Sequence, residues 1–397
     1  MPTFVDSPAA APTAAASPAG ATTLSVVSPP AEGRKLKAAV IGTGVISEQH
    51  LKYLSSDPLV DLVGVCDLSP SLAKYAASKF GAREAYTDAA AMIRQAKPDV
   101  VHVLTPPHTH VPIVTDALTQ GAHVVCEKPI APQRQQFLDL WTLARAKGLR
   151  LVEDHNYRFN EPMLAIEKLV ADGKLGTVHE VEVRMALQVR KAGGRYADTA
   201  MPHPSHNLPA GVLHEFISHL CYLTLRFLPL DPKDVASADA GGELFPRIAA
   251  AWSNHGVTGP FKFDDLDATV ISGPAHGRIR FSCSTSPDTF SVIVRGDKGW
   301  AETDLFQPFL RVTIPRKGGT LLSSLVNHWV NGKAMKRAAI RGFRNKIMQH
   351  SPYEGLGTFL GRTYAALRSG AEPPVTFADI DRASRLIDGL LDEKNRV

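Results

Sequence analysis

The run Val124-Val125-Cys126-Glu127-Lys128-Pro129 puts a carboxylate, an ammonium and a proline directly after a short apolar strand. In an open α/β sheet, ligands bind outside the carboxyl ends of the strands, so a charged pair there faces a ligand more readily than it decorates a surface. Lys128 at that edge can hold a substrate hydroxyl or tune a neighbouring acid. Glu127 can bind a ribose hydroxyl. The plainer alternative is a surface ion pair of little energetic weight.

A second chemical element lies upstream, in Gly42-Thr43-Gly44-Val45-Ile46-Ser47. The first glycine permits a tight turn, and the second lets the backbone approach a pyrophosphate. The helix behind them offers free N–H groups and a positive dipole end. Ser47 stands where the usual fingerprint has a third glycine. Asp67 closes the next strand, where a carboxylate suits a ribose 2′-hydroxyl and repels a 2′-phosphate. NAD is therefore expected in preference to NADP, held by Gly42, Thr43, Gly44, Val45, Ile46 and Asp67. An ordinary strand–helix turn capped by Asp67 is the alternative. The segment Thr105-Pro106-Pro107-His108-Thr109-His110 follows a third strand. Its prolines direct the chain as it leaves the sheet, so Thr105, Pro106 and His110 are expected beside the cofactor. A rigid loop with a helix cap at Thr109 is the other reading.

These segments need strands and helices in alternation to position them. Apolar runs at Leu36–Ile41, Asp61–Cys66, Asp99–Leu104, Val124–Cys126 and Leu149–Val152 alternate with helical patterns at Val45–Leu54, Pro70–Phe80, Val111–Gln120 and Gln133–Lys147. Strands apolar on both faces imply a parallel, doubly wound sheet covered on both sides, over residues 35–155. The remainder, 156–397, reads as an α/β domain with a large, mostly antiparallel open sheet. Glu180–Arg190 alternates polar and apolar residues, and strands follow at Ala268–Ile271, Gly277–Ser284, Phe290–Arg295, Gly299–Thr303 and Phe309–Ile314. Helices are expected over Met163–Asp172, Gly211–Leu228, 355–368 and 377–391.

Composition agrees with two domains. The chain has 397 residues, 44% hydrophobic and 21% charged, with a net charge of +5. That charge is too mild to imply nucleic acid, and no stretch reaches the roughly 18 apolar residues of a membrane span. Cys66, Cys126, Cys221 and Cys283 are far apart and form no CxxC pair, so no thiolate metal site is expected, and Cys66 and Cys126 lie in apparent core strands as buried thiols of a reducing, cytoplasmic compartment. Residues 1–34 are rich in Ala, Pro, Ser and Thr, lack the basic start and apolar core of a signal, and are expected to be disordered.

Taken together, "AAVIGTGVISEQHLKYL", Asp67, "TPPHTH", "EKP" and "NYRF" fall in the order seen in the glucose–fructose oxidoreductase and inositol dehydrogenase (Gfo/Idh/MocA) family. The resemblance covers roughly residues 36–230. It implies a Rossmann domain joined to an α/β domain whose open sheet makes a homo-oligomer, a dimer or tetramer. It also implies oxidation or reduction of a secondary hydroxyl on a sugar, cyclitol or nucleotide-sugar. Lys128 matches the lysine near the reacting carbon, and Pro129 matches a proline often preceded by a cis peptide. The catalytic motif, an aspartate four residues before a histidine, maps onto Gly211–His219, with Glu215 in place of aspartate and His219 as the acid/base. Residues four apart share a helix face, and imidazole suits proton transfer near neutrality. The resemblance also sends Asn156, Tyr157 and Arg158 to the substrate cleft. The loop Met201–Pro209, with His206, is expected to line the substrate pocket, and Arg190 and Arg195 are candidate anion ligands.

No metal is expected. His214-Glu215-x-x-x-His219 has its histidines five apart, which is not the zinc-helix spacing. Residues 311–350 hold nine Lys/Arg and no Asp or Glu. Leu321, Leu322, Leu325, Val326, Trp329 and Val330 form one apolar helical stripe, and Met335, Ile340, Phe343 and Ile347 a second beyond Gly332. Such a segment can lie on an anionic membrane, cover a neighbouring subunit, attract a diphosphate, or pack as a solvated insertion. The expected activity is an NAD(H)-dependent oxidoreductase. The rivals are a glycosidase or lyase that oxidises its sugar transiently, and a dinucleotide-binding regulator without turnover.

Overall fold

The computed structural model describes residues 33–188, 210–229, 247–256, 263–316, 319–347 and 353–392. Strands β1 (Leu36–Ile41), β2 (Val60–Cys66), β3 (Ala85–Tyr86), β4 (Val100–Val103), β5 (His123–Cys126) and β6 (Leu151–Glu153) form one sheet. Its order is β3-β2-β1-β4-β5-β6, and every pair is parallel. Helices α1 (Ser47–Ser56), α2 (Pro70–Phe80), α3 (Ala89–Ala96), α4 (His110–Thr119) and α5 (Arg134–Ala146) carry the chain between strands. β4 is buried at all four residues because helices cover both faces of the sheet. The strand order reverses between β1 and β4. The crevice above that switch point is where doubly wound sheets bind ligands, and the Gly42 and Thr105 loops flank it.

Local signals set the helix bounds. Ser69 accepts a hydrogen bond from the Leu72 amide, Pro70 begins α2, and left-handed Gly81 ends it. β3 and α3 carry too short and too alanine-rich a pattern to read from sequence. Asp88, which caps α3 through the Ala91 amide at 2.6 Å, is their clearest mark.

The second sheet contains β7 (Val178–Ala186), β8 (Arg247–Ser253), β9 (Asp265–Ser272), β10 (Ala275–Ser282), β11 (Thr289–Gly296), β12 (Trp300–Asp304) and β13 (Arg311–Thr313). Its order is β13-β12-β11-β7-β10-β9-β8, antiparallel except between β7 and β10. Inward residues such as Val181, Val183, Ile279, Phe281 and Val292 pack beneath α7 (Gly211–Phe227). β7 ends earlier than the expected strand to Arg190, and β13 is shorter than Phe309–Ile314.

After α6 (Glu161–Ala171), α7 and the sheet, the chain ends in α8 (Gly319–Ile347), α9 (Glu354–Ser369) and α10 (Phe377–Leu391). α9 returns to the first domain: Leu356, Phe359, Leu360 and Tyr364 join the core of Leu51 and Leu54. A linear boundary at residue 155 therefore leaves out part of the first core. Gly355 makes the return possible, since a Cβ there would stand 2.2 Å from the Asn156 carbonyl oxygen. α10 begins with a reciprocal Thr376–Asp379 capping box and packs against α7. It also ties back to α5 through Asp381 and Arg134, 2.7 Å apart.

Candidate active site

The glycine turn follows β1 and points at the crevice. Gly42 has φ +95°, and its amide donates to the Cys66 carbonyl at 2.8 Å. A Cβ there would lie 2.8 Å from the Leu104 oxygen, so only glycine fits between the exits of β1 and β4. A Cβ on Gly44 would meet nothing within 4 Å, which leaves open space over the turn. Ser47 closes the turn by donating its hydroxyl to the Gly44 carbonyl at 2.6 Å. α1 starts at Ser47, not Val45. Val45 and Ile46 belong to the turn, with Val45 71% exposed.

Asp67 is fastened to that turn. One carboxylate oxygen accepts from the Thr43 amide at 2.9 Å and the Thr43 hydroxyl at 2.7 Å, and the other accepts from the Ser69 amide at 2.9 Å. Burial pushes its pKa up, but these bonds outweigh it and hold the carboxyl below its usual range. Asp67 is thus a fixed anion at the strand end.

On the other side of the switch point, Thr105 and Pro106 open the loop after β4. Thr109 donates its hydroxyl to the Thr105 hydroxyl at 2.7 Å. The His110 ring is buried between two carbonyls, with Nε2 2.7 Å from Thr105 O and Nδ1 2.8 Å from Pro129 O. Burial lowers its pKa, and a neutral ring donates to only one of these at a time. His110 therefore staples the two loops together at the side of the crevice where the cofactor is expected.

The Glu127-Lys128-Pro129 turn is held from below. The Lys128–Pro129 peptide is cis. Just beyond it, Glu153 accepts from the Ile130 amide at 2.8 Å and pairs with His155 Nε2 at 2.8 Å. With His110 on Pro129, these contacts aim Lys128 across the cleft, where its ammonium donates to the Glu215 backbone carbonyl at 2.7 Å. The part of Glu215 that meets the lysine is its carbonyl, so the expected partnership runs through helix backbone. The longer side chain that replaces the family's aspartate leaves this contact intact.

His219 lies one helical turn on, buried, and near enough to Lys128 for that charge to act on it. Burial first, then Lys128 and His155, lower its pKa well below the usual value, so the ring is neutral at neutral pH. Its Nδ1 is 2.9 Å from the Tyr222 hydroxyl, and Tyr222 stacks on His155 with centroids 4.2 Å apart. Tyr157 meets His219 edge-on at 4.9 Å.

Asn156 is buried, its side-chain oxygen accepting the Tyr157 amide at 2.8 Å. Arg158 is also buried and pairs with Asp379 of α10 at 3.2 Å. This ion pair ties the arginine expected at the substrate cleft to α10. His206, Arg190, Arg195, the loop Met201–Pro209 and the tail through residue 32 lie outside the described residues.

Sequence reasoning missed a buried polar chain beneath the turn. His50 on α1 approaches Asp154 with Nε2 3.4 Å from Oδ2, and its Nδ1 is 2.9 Å from His102 Nδ1. His102 Nε2 is 2.8 Å from the Tyr364 hydroxyl on α9. Burial lowers the pKa of both histidines, His50 to about 4, and keeps Tyr364 protonated. One polarity runs along it: Tyr364 O–H donates to His102 and His102 to His50, which leaves the His50 Nε2–H facing Asp154 without a formed hydrogen bond. Ligating atoms of His50, Glu127 and Asp154 lie within 4.8 Å of one another. Burial raises the pKa of Glu127, helped by Asp154, to about 7, and burial raises that of Asp154 to about 7. Both carboxyls therefore hold their protons more tightly than exposed acids do. The signal that pointed here was Glu153-Asp154-His155, a polar run at the end of a core strand.

Comparison with known proteins agrees with this architecture. Residues 36–155 match the family model GFO_IDH_MocA, described as an oxidoreductase family with an NAD-binding Rossmann fold. D-glucoside 3-dehydrogenase of Escherichia coli (strain K12) is 35% identical over 159 residues, 40% of this chain and 44% of that protein. Inositol 2-dehydrogenase of Rhizobium meliloti (strain 1021) is 27% identical over 148 residues, 37% of this chain and 44% of that protein. The matched stretch thus spans a little under half the length of these relatives. Among solved structures, the WlbA dehydrogenase from Bordetella pertussis, in complex with NADH and UDP-GlcNAcA, superimposes with a TM-score of 0.69. It covers 90% of this chain and 95% of that one at 18% identity, a likeness of fold. With the glycine turn, the fixed Asp67 and the Glu-Lys-Pro edge in their places, residues 36–155 form an NAD-binding Rossmann domain of the Gfo/Idh/MocA oxidoreductase type.

Proposed function

We propose that this chain is an NAD(H)-dependent dehydrogenase acting on a secondary hydroxyl, or the corresponding ketone, of a sugar, cyclitol or nucleotide-sugar. The observation that carries the reading is the bridge from Lys128 to the Glu215 carbonyl, which seats an ammonium on the nucleotide-binding domain within electrostatic reach of a neutral, buried His219 on the other.

The residues fit a dinucleotide. The open space over Gly44 receives a pyrophosphate without hindrance, and the α1 N-terminus lies behind it. The ionised Asp67 favours a free ribose hydroxyl over a phosphate, which supports NAD over NADP. A bound nicotinamide would supply the hydride acceptor or donor for the substrate carbon. The chain's own residues handle the oxygen. Lys128 holds it and stabilises the negative charge that develops on it. His219 takes its proton: with the Tyr222 oxygen accepting Nδ1–H, the tautomer presents a lone pair on Nε2. Stacking on His155 holds Tyr222 in place. The named relatives act on a glucoside and on inositol, which supports a polyol as substrate.

The test is a screen of free sugars, cyclitols and nucleotide-sugars with NAD, reading NADH by absorbance and products by mass. NADH formation that disappears in His219→Ala, with NADH binding retained, supports the proposal. Cleavage products without NADH would replace it with transient oxidation. Full turnover in His219→Ala would overturn the assignment of the base.

A further inference from the structure

α8 is a 29-residue helix turned inside out with respect to an ordinary surface helix. Its polar face packs on the protein. Asn331 donates to the Val312 carbonyl at 2.9 Å and accepts the Val312 amide at 3.0 Å. One turn earlier, Asn327 donates to the Ile314 carbonyl at 2.8 Å. Ser323 donates to the Arg316 carbonyl at 3.0 Å, and further along Arg341 pairs with Glu161. The two asparagines satisfy the free backbone of β13, the edge strand of the second sheet, and so cover an edge that would otherwise invite pairing. Because that face is occupied, the apolar stripe points outward. Leu325 is 60% exposed, Trp329 64%, Ile340 60% and Phe343 70%. The two stripes expected on either side of Gly332 share one side of the helix, with Lys333 and Lys336 on that side between Trp329 and Ile340, where long stems let their charges reach out to the headgroups.

Lys333, Lys336, Arg337 and Arg344 stand on the same exposed side, and residues 311–350 contain nine Lys/Arg without one Asp or Glu. We propose that α8 is a docking surface for an anionic lipid bilayer, lying in the headgroup plane with its Leu325–Trp329–Ile340–Phe343 stripe inserted and its basic residues on the lipid phosphates. No described helix is long and apolar enough to cross a membrane, so the contact is peripheral. Charge decides against a second copy of the helix as occupant, because helix-on-helix pairing would bring two wholly basic segments together. A bilayer surface accepts a tryptophan and a cationic stripe together, and Lys333 already lies 3.5 Å over the Trp329 ring. The inference is independent of the reaction proposed above.

The experiment is co-sedimentation of the full-length protein with vesicles of phosphatidylcholine alone or with about a third phosphatidylserine, near physiological ionic strength. Binding to the anionic vesicles only is expected. Trp329→Ser with Phe343→Ser should abolish it, and Lys336→Ser with Arg337→Ser should weaken it on the order of 30-fold, at roughly fivefold per charge. These side chains are exposed, so NADH binding in every variant should match the wild type and verify folding. Equal sedimentation with neutral vesicles, or full binding by the serine variants, would overturn the proposal. So would a dimer, seen by light scattering, that the same substitutions dissociate while no vesicle binds.

Discussion

Replacing each glycine of the nucleotide turn by alanine should have opposite consequences. At Gly42 an L residue would sit at φ +95°, which costs about 1–2 kcal/mol. Its Cβ would also press to 2.8 Å from the Leu104 oxygen and 2.9 Å from the Leu104 carbon. Both are backbone atoms, and Leu104 is pinned by its amide's 2.8 Å bond to the Ile41 carbonyl, so relief requires prising β1 from β4. Overpacking of this kind costs a further ~1–3 kcal/mol. At about 2–4 °C per kcal/mol, Gly42→Ala should lower the melting temperature of the unliganded protein by roughly 5–15 °C. At Gly44 the added methyl meets nothing, so the unliganded melt should stay within about 0.5 kcal/mol of wild type. The loss there appears with ligand. Wild type in NADH at a hundred times its dissociation constant gains about 2.7 kcal/mol, and Gly44→Ala should lose most of that gain. Scanning fluorimetry with and without NADH reads both effects. A Gly44→Ala protein that keeps the full NADH shift would refute the claim that the space over the turn receives the pyrophosphate. An unshifted unliganded melt for Gly42→Ala would refute the steric argument.

Tyr222→Phe should lower kcat about tenfold or more with little change in NADH affinity, since it removes the hydroxyl proposed to accept the His219 Nδ1 proton; unchanged kcat would remove Tyr222 from the mechanism. The pKa of His219 lies well below its usual 6.5, so the proton-accepting ring persists as pH falls through 6.5. Activity should decline only at lower pH, and a decline centred above 7 would contradict this. Glu127 and Asp154 have folded pKa values of about 7, above their ordinary 4.5 and 3.8. Groups raised in this way bind protons more tightly when folded, so their stabilisation is full below about pH 4 and is lost as pH climbs through 7. Glu127→Gln should therefore gain melting temperature relative to wild type at pH 8 and little at pH 5, and the reverse order would show the pair is not protonated as described. Tyr364→Phe breaks the buried chain to His102 and should cost about 1–2 kcal/mol in denaturant unfolding. A neutral result would mean the hydroxyl carries no net stability.

The local order of the nucleotide-binding half was readable because it is written in local signals. Strands apolar on both faces, a glycine turn, capping residues and an acid at a strand end are each confined to a few consecutive residues, and Gly42, Asp67 and Lys128 could be placed by them, whereas His219 in the other domain was indicated by the family resemblance. The elements β3, α3 and β8 escaped because a strand of two residues or a run of alanines carries no period. What the tertiary structure decided is which atoms meet across the chain. His110 and Arg158 look in sequence like ligands for small molecules. Folded, one lies between Thr105 and Pro129 and the other against Asp379, so each has close internal partners that its sequence neighbours do not name. The chain from Tyr364 to Asp154 joins residues more than two hundred positions apart, and no pattern foretells it. The stripe on α8 was legible as apolar, but its direction was not. Amphipathicity says that a helix has two faces. Only the unpaired edge of β13, which needed the asparagines, settled that the polar face turns inward and the apolar face toward solvent.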